Sequence, residues 1–370
     1  MKRREFLGYS LWGGGIAVAA VLNFTILGVR KQRQRVAGPL LRMEEPPGTP
    51  DRDVRALAFS LNGDQLVSVT ADRKMSLWNS ENEKIVFSGQ SPHGGGANGV
   101  SLFNDGGWLA TVSDEPYLSI WQSVAQNDEA KLIRLYSTPN ALAFAPTLGG
   151  VLMNQHRLVV AQRDRTIRVF ERCEGDAHLS GQYSGVISET VPSSQEDFVE
   201  TRVLQQKYGD ASAVVFSPNG DYLVASLGGN YLQTWSVERD WSEGTISSDT
   251  DSPLHATAFS QDSRLLAAGA EDGTIVIWDW RSRNQIARLK GFGSPVADLL
   301  FFGANNWIMA AFADGVHRVW SGRNEDQGVV VGECPGRHVS LSRSSDGQRV
   351  ASAWGADVKF WKSAEIMASM

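Results

Sequence analysis

Apolar residues along this chain fall in short alternating runs, and the runs come in groups. The stretch His255 to Asp279, reading HATAFSQDSRLLAAGAEDGTIVIWD, shows the grouping most cleanly. Ala256, Ala258 and Phe259, then Leu265 to Ala268, then Ile275, Ile277 and Trp278 make three runs separated by polar or glycine-bearing turns. A period of two predicts β-strands, and each run is too short for a helix. The turn Glu271-Asp272-Gly273 suits a tight hairpin, because glycine accepts positive φ and aspartate can bond the backbone two residues on. A fourth run, Gln285 to Leu289, completes a four-stranded unit.

The unit recurs with its terminal aromatic at Trp78, Trp121, Phe170, Trp235, Trp278, Trp320 and Trp361, which makes seven copies. The gaps between them are 43, 49, 65, 43, 42 and 41 residues, so most match the period of about 40 to 45 expected for four-stranded propeller blades. The two long gaps require insertions. A Phe-Ser-x-Asn/Asp-Gly turn after the first strand repeats at Phe59 to Gly63 and Phe216 to Gly220, with a looser form at Phe259 to Ser263. A turn aspartate precedes the last inner strand at Asp72, Asp114, Asp164, Asp272, Asp314 and Asp357.

These residues resemble the WD40 repeat family over roughly residues 38 to 361. The resemblance implies an all-β fold, a closed seven-bladed β-propeller whose inner strands line a central channel and whose terminal aromatics pack against neighbouring blades. The chain departs from the family pattern in places. No repeat carries the Gly-His dipeptide before its first strand, so the family's His-Ser/Thr-Asp-Trp tetrad is expected to be incomplete. Blade four has Gly228 to Asn230 where the turn aspartate belongs, and blade seven has Arg343 where others have Phe.

Residues 1 to 35 differ in kind. Phe6 to Val29 is 24 residues without a charge, flanked by Lys2-Arg3-Arg4 and by Arg30, Lys31, Arg33 and Arg35. As a helix it would reach about 36 Å, enough for a hydrocarbon core of about 30 Å. One N-terminal transmembrane or signal-anchor helix is therefore expected before the propeller of residues 36 to 370. Arg3-Arg4-Glu5-Phe6-Leu7 resembles the twin-arginine export signal, and Arg3 with Arg4 are its targeting residues. No Ala-x-Ala cleavage site follows directly, which favours an uncleaved single-pass anchor. Export would place the propeller on the periplasmic or lumenal side; an ordinary anchor, with the arginines as positive-inside residues, would leave it in the cytoplasm.

The last repeat ends its third strand at Trp361 and leaves a nine-residue tail, a weak fourth strand. Residues 38 to 43, with Leu40 to Met43 at their centre, stand before Val54 as fourth strands stand elsewhere. They are expected to supply the outer strand of blade seven and close the ring. The long gap after Phe170 places an insertion at 171 to 200, between the third and fourth strands of blade three. A smaller one, Thr147 to His156, lies between its first and second strands, so both should emerge on one face and mark a partner site.

Charge narrows the partners. The chain carries a net −6, and residues 1 to 42 hold eight basic and one acidic residue, which leaves −13 on the rest. An acidic propeller repels phosphate backbones, so nucleic-acid binding is not expected. Two cysteines, Cys173 and Cys334, lack disulfide-framework or CxxC spacing. The histidines His93, His156, His178, His255, His317 and His338 show no metal-ligand spacing, and neither metal nor cofactor is expected. Gly94 to Gly99 matches GxGxxG formally but precedes a strand, and it reads as a flexible connection between blades one and two. No GxSxG elbow occurs. The favoured function is a membrane-tethered, monomeric, non-catalytic platform for protein partners. The alternative is a propeller enzyme or small-ligand binder with a site at the channel mouth. Converging histidine and carboxylate side chains at one entrance would favour the latter; a channel lined by small and hydroxyl residues would favour the platform.

Overall fold

The structure is a computed structural model that describes residues 40–41, 52–60, 62–103, 107–122, 130–146, 156–172, 198–321, 328–333 and 339–368. The described residues form seven four-stranded antiparallel sheets, arranged as a propeller. Each of blades one to six runs from its first strand at the channel to its fourth at the rim, and the first strands touch one another around the ring. These innermost strands are Val54–Phe59, Ala97–Leu102, Pro139–Phe144, Ala213–Phe216, Leu254–Phe259, Val296–Phe302 and Leu341–Arg343. Antiparallel order puts the hairpins between first and second strands, and between third and fourth, on one face, here the lower face. The hairpins between second and third strands and the connections between blades lie on the upper face.

Blade seven is assembled from both ends of the chain. Leu40–Leu41 pairs antiparallel with Asp357–Lys362, in the register Leu40 to Lys359 and Leu41 to Val358, so the outer strand of the last blade comes from before the first. The tail after Trp361 is not a strand. Ser363–Ala368 is a short helix whose buried Ile366 and whose Met367 join the core between blades six and seven.

The alternation seen in the sequence is an alternation between two apolar faces, both covered. Seven buried clusters occupy the seven interfaces between blades, and one of them joins Val54, Phe59 and Trp78 of blade one to Val358 and Phe360 of blade seven. Each third-strand aromatic packs toward the preceding blade: Trp121 with Val67 and Leu77, Phe170 with Val112 and Ile120, Trp278 with Val224 and Leu232. Trp78, Trp235, Trp320 and Trp361 occupy the same place in their interfaces, and all seven are buried.

Three expectations require correction. The insertion of blade three is narrower than 171 to 200, because the third strand runs on to Arg172 and the fourth begins at Phe198. The glycine run before blade two is not loose throughout: Gly95 is open, but a Cβ on Gly96 would collide with the Ala71 carbonyl oxygen, so that position needs glycine for backbone approach. Asp357 is not a turn residue. It is the first residue of its strand and pairs with Trp354, leaving Gly355-Ala356 as the two-residue turn, with φ +59° at Gly355. The proposed anchor with Arg3 and Arg4, the cores of both insertions, Cys173, Cys334, His178 and His338 lie outside the described residues. Among the described residues no helix is long and apolar enough to cross a membrane.

Trp278 is 1% exposed and fills the interface between blades four and five. Trp278→Ala should lower the unfolding free energy by about 3 to 5 kcal/mol, the range for truncating a buried large aromatic. Denaturant unfolding of the full chain measures it, and an unchanged midpoint would contradict the packing role.

Candidate interaction surface

Serine and aspartate side chains fix the hairpins that shape both faces. On the lower face, Ser60, Ser217, Ser260 and Ser344 each accept the backbone N–H five residues on, at 2.9 to 3.0 Å. The Arg343 turn of blade seven thus keeps the same bond as the Phe-Ser turns. On the upper face, Asp164, Asp272 and Asp314 accept the N–H two residues on at 3.1, 2.9 and 3.0 Å, and Asp72 accepts the Thr70 hydroxyl. Asp114 is exposed on its turn, 4.0 Å from Arg55. Parts of the tetrad survive. Trp78 and Trp361 donate their indole N–H to Ser68 and Ser352 at 2.9 and 3.1 Å. In blade two, buried His93 precedes the first strand in a Ser-Pro-His context, and its Nε2 lies 3.1 Å from both Thr111 and Ser119.

The strand edge facing the channel has backbone N–H groups with no ladder partner. Several are satisfied from the adjacent blade. Leu57 and Phe59 of blade one donate to the Ser340 and Ser342 hydroxyls of blade seven at 3.3 and 3.0 Å, and Phe144 donates to Ser101 at 3.1 Å. Between blades six and seven the acceptor is a carboxylate. Asp298 takes the N–H of Leu341 at 2.7 Å and of Leu299 at 2.8 Å, at a register position held by Ala56, Gly99, Ala141, Ala213 and Ala256 elsewhere. Enclosure by the channel wall pushes its pKa up to about 6 against the pull of these bonds. Among the described residues no histidine converges on it. His317 is buried between blades six and seven, where Nδ1 lies 3.1 Å from the Gly315 carbonyl and Nε2 accepts the Trp354 indole N–H at 3.3 Å. Burial, assisted by nearby Lys359, pulls its pKa down to about 4, so it is neutral near pH 7.

The upper face over blades two to four carries a strip that the sequence did not single out. Four exposed tyrosines lie there: Tyr117 and Tyr231 open third strands, while Tyr136 and Tyr208 sit on the connections between blades, 72% and 50% exposed. Tyr208 stacks on Tyr231 with ring centroids 4.8 Å apart, and the Arg168 guanidinium lies 4.1 Å above the Tyr136 ring. Between the two pairs stands the blade-three hairpin Arg163-Asp164-Arg165, with both arginines exposed. Arg163 N–H donates to the Thr138 carbonyl and Gln206 N–H to the Arg165 carbonyl, each at 2.9 Å, which ties the hairpin to both tyrosine-bearing connections. Strand alternation could have flagged Tyr117 and Tyr231 as outlying aromatics. Only the topology sets them beside Tyr136 and Tyr208. Among the described residues no group of three or more His, Cys, Asp or Glu is placed to hold a metal ion.

The WD40 family profile, described as WD domain, G-beta repeat, matches residues 45–79 and 242–279, which end on the third strands of blades one and five. The chain is 21% identical over 349 residues to the DDB1- and CUL4-associated factor 11 homolog of Caenorhabditis elegans, across 92% of this chain and 54% of that protein. It is 24% identical over 181 residues to the Protein LST8 homolog of Drosophila melanogaster, across 47% of this chain and 48% of that one. Against Transducin beta-like protein 3 of Rattus norvegicus it is 29% identical over 157 residues, across 40% and 19%. The chain thus spans about half the length, or less, of these relatives.

The two shifted groups of this propeller give opposite pH signatures. Asp298 binds its proton more tightly in the fold than in the unfolded chain, so its contribution to stability rises as pH falls from about 7 through 6 toward 4. His317 binds its proton less tightly in the fold, so its contribution is complete above about 6.5 and is lost as pH falls toward 4. Relative to Asp298→Asn, the unchanged protein should gain up to about 3 kcal/mol between pH 7.5 and 4. Relative to His317→Gln it should lose about as much over the same window. Urea unfolding of the three proteins at both pH values measures each difference, and a pH-independent difference would refute the corresponding assignment.

Proposed function

We propose that this protein is a non-catalytic interaction scaffold, and that the upper face over blades two to four is where it captures a polypeptide partner. The exposed tyrosine strip carries the reading. Tyrosine offers a large amphipathic contact area at low conformational cost and is enriched where binding energy concentrates. With Arg163 and Arg165 between the tyrosine pairs, the strip suits an extended segment bearing carboxylates, which arginine binds through two parallel hydrogen bonds. One relative, the DDB1- and CUL4-associated factor 11 homolog, is named for its association with other proteins, which supports the same class. Among the described residues the lower channel mouth offers one carboxylate, Asp298, without a converging histidine, which gives the enzyme alternative little support.

Tyr136→Ala combined with Tyr208→Ala should leave the melting temperature within about 2 °C, since surface changes seldom exceed 0.5 kcal/mol. The same pair should weaken partner capture at least about tenfold. A photo-crosslinking residue at position 136 should trap the partner, whereas one at Ile286 on the outer edge should not. Capture unaffected by the double substitution would remove the strip from the function.

We further propose that residues 1 to 35 hold the propeller at a membrane. The uncharged run Phe6 to Val29 between basic flanks supports this. Deleting residues 1 to 35 should move the protein from the membrane to the soluble fraction. Arg3→Lys with Arg4→Lys should abolish the signal of an export-dependent reporter fused after Met370 if the arginines direct export. The same change should leave a cytoplasmic reporter unaltered if they do not.

A further inference from the structure

The lower mouth of the channel encloses a cavity of about 400 Å³ to which all seven blades contribute. Its volume lies in the range of small-molecule sites. The register explains its chemistry. The first-strand position level with Phe59, which pairs with Leu66, is Leu102, Phe144, Phe216, Phe259 and Phe301 in blades two to six, and all of these but Phe301 line the cavity. In blade seven that position is Arg343, paired with Val350. One guanidinium therefore interrupts an otherwise apolar ring, and it is the only cation among the lining residues.

Arg343 has little to hold it. Its Nη1 makes only long contacts to its own turn, 3.4 Å to the Ser344 carbonyl and 3.5 Å to the Ser345 carbonyl. Among the described residues no carboxylate lies within ion-pair distance of it; Asp346 acts only from farther away, and burial draws the guanidinium pKa down. The partly buried guanidinium therefore faces the cavity without a paired anion, free to receive one. Across the mouth, the Thr257 hydroxyl lines the same cavity with no hydrogen-bond partner, and Gln261 of blade five reaches the Ser345 carbonyl of blade seven. The other lining charge, Asp298, sits at the level of Ser340, three residues before Arg343 along the strand and so about 10 Å deeper.

We infer that the lower channel mouth is a binding site for a carboxylate carried on an apolar body, with the Arg343 guanidinium clasping the carboxylate and the phenylalanine ring receiving the body. The planar fork of arginine matches a carboxylate in two parallel bonds, and the ring supplies the apolar enclosure. Asp298 deeper in the channel excludes a ligand with a second anionic end. A small organic acid and the C-terminal carboxylate of a polypeptide share this chemistry.

The test uses the full chain in detergent and three probes: 3-phenylpropionate, 3-phenylpropanol, and the tripeptide Ala-Ala-Phe with its terminus free or amidated. Saturation-transfer NMR and titration calorimetry should show 3-phenylpropionate bound and the alcohol at least about tenfold weaker. Arg343→Met should reduce carboxylate binding about 10- to 100-fold, the range for losing a charge-assisted bond. Arg343→Lys should retain part of it, which guards against a misfolded variant. Tighter binding of the free tripeptide than of 3-phenylpropionate, lost on amidation, would assign the site to polypeptide termini; the reverse order would assign it to small acids. Equal binding of acid and alcohol, acid binding unchanged in folded Arg343→Met, or no binding of either acid probe would overturn the inference. Because the tyrosine strip lies on the opposite face, Tyr136→Ala with Tyr208→Ala should bind these probes unchanged, which separates this site from the scaffold function.

Discussion

A twisted four-stranded sheet with apolar side chains on both faces has no stable existence alone, because each face needs another sheet against it. Seven such sheets satisfy one another only when the last returns to the first. Here the return is made twice over, by the cluster joining Trp78 and Phe59 to Phe360 and Val358, and by the Leu40–Leu41 strand that gives blade seven its outer edge. Every other feature depends on that closure. The third-strand aromatic faces the preceding blade at each interface, so each blade is held from one side by its own tryptophan or phenylalanine and from the other by its neighbour's.

Closure creates a second constraint at the centre. The innermost strands meet around a channel too narrow for another sheet, and their inward N–H groups need acceptors that a β-ladder cannot provide. The chain meets this with side chains two positions apart on the same strand, Ser340 and Ser342, and with Asp298 one blade away. These bonds concentrate at blades six, seven and one, around the junction between the chain's ends. There blade seven is assembled from both ends of the chain, and side-chain bonding reinforces the apolar contact.

How much of this the sequence revealed follows from which periodicity carried the information. Blade number, terminal aromatics and the paired hairpin motifs are local repeats, and each is visible in one repeat of about 42 residues. Asp357 was misplaced because it lies four residues before Trp361, whereas Asp272 lies six before Trp278 and the true turn is Gly355-Ala356. Aspartate near a tryptophan was a weaker signal than the spacing. The tail helix was hidden because Ser363–Ala368 has only one turn and a half of apolar pattern, and its partners are in blade six. The tyrosine strip, the Arg343 mouth and the Asp298 bond are relations between blades. Residues from different repeats form them, as far apart as Phe59 and Arg343, and no local pattern reports which faces coincide.

Asp298 and His317 show the same principle at the level of energetics. Both belong to blade six, both contact blade seven, and both occupy register positions that are small or apolar in other blades: Ala56 for the first, Met75 and Ile275 for the second. Each is a polar group in a place built for none, held by bonds to the neighbouring blade, and burial displaces each toward its neutral form. Because one is an acid and the other a base, the displacements have opposite consequences: acidification relieves the carboxylate while it burdens the imidazole. Over the interval from about 6 to 4 the two contributions offset, so acidification strengthens the interface between blades six and seven through Asp298 while weakening it through His317. The sense of each shift follows from enclosure between these two blades.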